Sequence, residues 1–207
     1  MKKIIYSLAA ALSSCNMLDE VNYGNPTVED MMTNEENVVM LVGQIYANVK
    51  YTHDHWGYWG LVTTTADEGL CVPRNGGNDW NDGGYWLRQN THAWDHRGDA
   101  IKEVWNITVN GAVLCNQIIS TLNNYKSSMS EAVYAQYLGE VEVMRSYYFY
   151  QLFDCFGRIP YTEKFEEATG PLQDPQDVWS HLVATLERNA PNMAVVNDAN
   201  RAANYGR

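Results

Sequence analysis

The residues of this sequence best equipped for chemistry are its tryptophans and the polar groups beside them. Six of the seven lie between Trp56 and Trp105, and Trp56, Trp59, Trp80, Trp86 and Trp94 fall in one stretch, 51–98, rich in Gly, Asn and Asp. An indole offers a flat apolar face to the C–H side of a sugar ring, while nearby Asn, Asp and Arg hydrogen-bond its hydroxyls at fixed angles. The run from Arg74 to Arg88 interleaves the two kinds of residue most densely. Within it Trp80 and Trp86, flanked by glycines and polar groups, are expected as exposed platforms, with Asn81, Asp82 and Arg88 as their hydrogen-bonding partners. Trp56, Trp94 and Trp105 are expected to be core or loop anchors. The competing reading buries all these rings against a helical core, where they brace a long loop that has no regular hydrogen bonding of its own.

Other reactive residue types lack the spacing that chemistry needs. Asp67-Glu68 supplies two carboxylates, but adjacent residues do not face each other across a scissile bond, so capping or bracing is the expectation. His53-Asp54-His55 and His92-x-x-x-His96 lack a third ligand, and their segment is not helical in pattern, so no metal site is expected. No nucleotide loop of the Gly-x-x-x-x-Gly-Lys kind and no Gly-x-Ser-x-Gly elbow is present. Neither a catalytic residue nor a cofactor is expected.

The elements that must position these residues are helices. Val133, Tyr137, Leu138, Val141, Met144, Tyr148, Leu152 and Phe156 recur at three-and-four spacing, which predicts a helix from Glu131 to Phe156 that stops at Gly157 and Pro160. Ser128 stands at the capping-box distance from Glu131. A second apolar edge, Val143, Tyr147, Phe149 and Tyr150, is too wide for one neighbour, so this helix is expected between several others. Thr33 is expected to cap a helix from Asn34 to about Lys50, with Glu36 at the capping-box position. A third helix is expected from Asp99 to about Asn123. A fourth follows Asp174-Pro175, a capping residue with proline at the first helical position. Residues 51–98 read as a long irregular excursion from this frame, the kind of loop that carries function.

The run from Glu140 to Phe153, followed by Phe156-Gly157-Arg158-Ile159-Pro160-Tyr161, resembles a signature of the SusD/RagB family, outer-membrane nutrient-binding lipoproteins of Bacteroidetes. Glu140, Arg145, Gly157 and Pro160 match it, the first two expected as a structural ion pair or cap at the edge of the core. The Trp105 to Asn116 helix, Asp67-Glu68 and the Asp79-Trp80 loop are similar to family segments as well. The resemblance implies an all-α fold of tetratricopeptide-like helical hairpins with a long irregular loop region. It also implies binding of oligosaccharide or polysaccharide without cleavage, and delivery to a SusC-like TonB-dependent transporter. Family members are longer, with a C-terminal region that contributes to the ligand site, so residues 28–207 are expected to be an N-terminal helical domain, incomplete at its end. A helical scaffold that binds only protein, or a remnant that binds nothing, is the alternative; a surface glycosidase is a third.

Charge bounds the partners, and the leader points to export. The formal charge is −11, and −13 without the first fourteen residues, whose only charged groups are Lys2 and Lys3. Fourteen basic residues scattered through that background exclude a phosphate-backbone partner, so no nucleic acid is expected. Lys2-Lys3, the apolar run Ile4 to Leu12, and Leu12-Ser13-Ser14-Cys15 predict a lipoprotein signal over 1–14, lipidation at Cys15, and a tether over 15–27 leading into the folded domain; the resemblance implies that the lipid sits in the outer membrane with the protein facing the cell exterior. Cys71, Cys115 and Cys155 then remain, so at most one intramolecular pair is possible.

Overall fold

Three residues with short polar side chains set where the long helices begin. Asn34 accepts a hydrogen bond from the Glu36 amide, Ser130 from Val133, and Asp174 from Gln176, each satisfying a backbone donor of the first turn. Two of these caps differ from the sequence expectation, with Asn34 in place of Thr33 and Ser130 in place of Ser128. The side chain next to the first turn reaches its free amides better than one further back. The computed structural model describes residues 27–72, 82–166 and 170–193. Their helices are α1 (Val28–Met32), α2 (Glu35–Thr52), α3 (Tyr58–Thr65), α4 (Tyr85–Asn90), α5 (Asp99–Asn124), α6 (Glu131–Phe156) and α7 (Pro175–Asn189). Apart from one isolated antiparallel bridge, Pro160 to Leu172, the described residues hold no sheet. The predicted leader, the tether up to residue 26 and Cys15 lie outside the described residues.

The central unit is an antiparallel hairpin of α5 and α6. Its direction follows from the pairs that touch, since Trp105 meets Phe156, Gly111 meets Tyr148, Asn116 meets Arg145, and Asn123 meets Tyr134. Both helices have 26 residues, about 39 Å at 1.5 Å per residue. Helix α6 also packs against α2 and α7, as its double apolar edge predicts. Val42, Ile45, Cys115, Ile118, Val141 and Leu152 fill the space between. Gly111 allows the close approach at mid-hairpin, because a Cβ there would lie 2.5 Å from the ring of Tyr148, whose hydroxyl donates to the Ile45 carbonyl at 2.5 Å.

Glu140 and Arg145 are both buried on α6, and they tie α6 to different neighbours. Tyr46 of α2 donates to Glu140 at 2.6 Å. Arg145 donates to Asn116 of α5 at 3.0 Å and forms a 3.1 Å ion pair with Glu163, while Asn116 donates to the Thr162 carbonyl at 2.9 Å. The chain after the Gly157 stop is thereby fastened back onto the hairpin. Gly157 ends α6 at φ 67°, which favours glycine.

Residues 51–98 are less irregular than their composition suggests. Helices α3 and α4 lie within them, packed on each other, and α3 also packs on α5. At eight and six residues they are too short to show a period. They close over a second, smaller core of Leu61, Trp86, Ala100 and Val104.

Candidate functional site

The approach to α4 is a tight left-handed turn, with Asp82 at φ 40°, Gly83 at 64° and Gly84 at 79°. Two side chains fold it against the helix it precedes. The Trp86 indole N–H donates to the Asp82 carboxylate at 2.5 Å, and Arg88 donates to the Gly83 carbonyl at 3.0 Å. Trp86 is therefore not the exposed platform that its glycine-rich flanks suggest. It is 1% exposed, 4.9 Å from the Trp56 ring and edge-on to Tyr85 at 5.1 Å. With its one polar group answered inside the turn, the indole can fill the small core at little polar cost. Tyr85 in turn accepts the Ala100 amide at 3.0 Å, which caps the first turn of α5 where Gly98 offers no side chain. Burial raises the Tyr85 phenol above its ordinary range. Trp80, Asn81 and the rest of the 73–81 run lie outside the described residues.

The far end of α4 makes a second turn, and here the exposed aromatic appears. His92 N–H donates to the Gln89 carbonyl at 3.1 Å and Ala93 N–H to the Arg88 carbonyl at 2.8 Å. This is a Schellman closure with His92, at φ 54°, in the left-handed position usually held by glycine. The turn carries Trp94 outward to 48% exposure, contrary to its expected role as an anchor. Asp82 and His92 are the non-glycine residues of positive φ among the described residues, and they bracket α4.

Cavities meet around Trp94 and the start of α5. A polar cleft of about 280 Å³ is walled by Arg88, Gln89, Trp94, Asp95, Arg97 and Asp99. On the other side of Trp94 and Gln89 lies a groove of about 590 Å³ with Leu61, Val62, Ile101 and Phe156 as its apolar surface, and His92, His96 and Asp154 among its polar residues. A third cavity, about 430 Å³, places Tyr51 and Trp56 beside Asp54, Asp99 and Glu103. Of the residues expected in the site, Arg88 lines the polar cleft, whereas Asp82 supports the turn behind it. Flat rings beside charged hydrogen-bonding groups suit a ligand with an apolar face and a polar edge.

The titratable groups nearby serve the architecture. Asp54 is held below the usual carboxylate range by its hydrogen bonds to the His55 ring and amide. Tyr58 donates to Asp154 at 2.7 Å, and burial together with that carboxylate raises its phenol. Burial, with Asp154 beside it, pushes the Cys155 thiol up to about 12. Cys71, Cys115 and Cys155 are free thiols. Among the described residues no cluster of three or more His, Cys, Asp or Glu has the geometry to hold a metal. Asp67 and Glu68 are exposed just past α3.

Comparison with known proteins places this arrangement in context. A family model, SusD-like, described as starch-binding associating with outer membrane, matches residues 83–204. Surface glycan-binding protein A from Bacteroides fluxus has a similar fold, with a TM-score of 0.58 and 21% sequence identity over 74% of this chain. The match spans 32% of that protein. No curated protein matches the sequence.

Proposed function

The chain belongs to the SusD-like family, and on that premise we propose that it captures glycan at the cell surface and passes it to a SusC-like TonB-dependent transporter, anchored to the outer membrane by lipid on Cys15. The observation that carries this reading is Trp94, half-exposed between a cleft rich in Arg and Asp and an apolar groove. A sugar ring stacks on that indole while Arg88 and Arg97 meet its hydroxyls. Trp80 and Asn81 are assigned to sugar binding on residue type alone. Asp82 and Trp86 fix the turn that leads into α4, the helix that carries Arg88. Among the described residues no helix is long and apolar enough to cross a membrane.

Intrinsic fluorescence of the protein titrated with plant, host and microbial oligosaccharides tests the reading. A saturable change that Trp94→Ala abolishes and Arg88→Ala weakens about tenfold is expected, about 1.4 kcal/mol for a charged hydrogen bond to the ligand. A folded protein that responds to no glycan would sink it. A second reading, a helical scaffold that contacts protein alone, is favoured by Trp179 and Leu186 on α7, which are 45% and 43% exposed. In that case Trp179→Ala impairs association with the transporter, and no sugar binds.

A further inference from the structure

Gln89 is a buried amide with neither polar atom answered. It is 0% exposed, and both Oε1 and Nε2 lack a hydrogen-bond partner. Natural folds rarely leave such a group in place, because an unsatisfied buried amide opposes folding. Its position gives the reason for keeping it. Gln89 belongs to the walls of both cavities that meet at Trp94. The larger, about 590 Å³, has Leu61, Val62, Ile101 and Phe156 in its lining. That apolar part of the lining suits a methyl-bearing substituent better than a hydroxyl, which would be desolvated against carbon, while Thr65, His92, His96 and Asp154 make up the polar part.

We infer that this groove is an acetamido-recognising subsite, in which Gln89 and its apolar surroundings select glycans bearing N-acetylhexosamine over their unsubstituted counterparts. The inference rests on the glycan-binding reading above and narrows its substrate class. The acetamido methyl packs against Leu61, Val62 and Ile101. Gln89 Nε2 donates to the acetamido carbonyl, and Oε1 accepts from a ring hydroxyl beside it, so both orphaned atoms are answered together. The sugar ring lies on Trp94, and the rest of the chain runs toward Arg88 and Arg97 in the polar cleft. The amide sits within the wall, out of water's reach, so a neighbouring wall side chain must turn as the ligand enters, and His92, Trp94 and His96 are among the exposed ones.

Matched pairs that differ only at the 2-position test this with the full protein: chitotriose against cellotriose, N-acetylglucosamine against glucose, and N-acetylgalactosamine against galactose. Calorimetric titration is expected to show the acetylated partner bound at least tenfold more tightly in one pair or more. Gln89→Met, which keeps the volume and removes both polar atoms, is expected to erase that preference, bringing the affinities of each pair within about twofold of one another. Its melting temperature is expected to match or exceed that of the parent, which separates lost recognition from lost folding. Equal affinities in every pair, or a preference that survives Gln89→Met, would overturn the subsite and leave glycan binding intact. Failure of both members of every pair and of the wider oligosaccharide panel would remove the glycan reading itself, and the subsite with it.

Discussion

His92 stands where a helix usually ends on glycine, in the left-handed conformation at the close of α4. A non-glycine residue there costs about 1 kcal/mol, so His92→Gly is expected to stabilise the protein by about that much in urea unfolding. No change, or a loss, would show that the imidazole compensates through the groove it lines. The thiols give a second residue-scale outcome. Burial pushes Cys115 up to about 12, and Cys155 reaches about 12 by burial with Asp154 beside it. At pH 8 only about one thiol in 10⁴ is ionised, so both are expected to resist iodoacetamide until the chain is unfolded, as read by peptide mass mapping. Rapid native labelling of Cys155 would contradict that burial. Arg145 gives a third. Replacing it with Met strands Asn116 and releases Glu163, an expected loss of about 2–4 kcal/mol in chemical denaturation. At this scale the sequence is a partial guide. It places aromatic and polar groups together, but Trp86 and Trp94 exchange their expected roles. The deciding facts, an Asp82 carboxylate reaching an indole N–H and a turn at His92 that throws Trp94 outward, depend on backbone angles that residue types alone do not specify.

Among the elements, the long helices are legible and the short ones are not. Helix α6 runs from Glu131 to Phe156 as its period predicts, because 26 residues repeat the apolar stripe many times and Gly157 marks the end. Helices α3 and α4 are held by tertiary contact over Trp86 and Leu61 rather than by any periodic stripe of their own. The hairpin makes a counterintuitive prediction. Gly111→Ala improves helix propensity by about 1 kcal/mol, yet its methyl would meet the Tyr148 ring at 2.5 Å. That ring is fixed by its bond to Ile45, so the expected net change is a loss of about 1–2 kcal/mol, or about 2–8 °C in thermal melting. A variant as stable as the parent would mean that α5 and α6 slide apart freely.

Taken as one molecule, the chain places its candidate site at one end of the α5–α6 hairpin, where α5 starts and α6 finishes, and leaves the opposite end to the α5–α6 turn. The all-α family frame was readable from the signature around Glu140 to Tyr161, whereas the meeting of the cavities was not, since it depends on how α3 and α4 lean on α5. One bond of that region has a use beyond architecture. The Ala100 amide is shielded by Tyr85, which belongs to the element that also carries Gln89 and Arg88. Its exchange with deuterium therefore acts as a clock for the parting of α4 from α5. A ligand that bridges the two elements slows that single amide, and amides in the distant α5–α6 turn keep their own time.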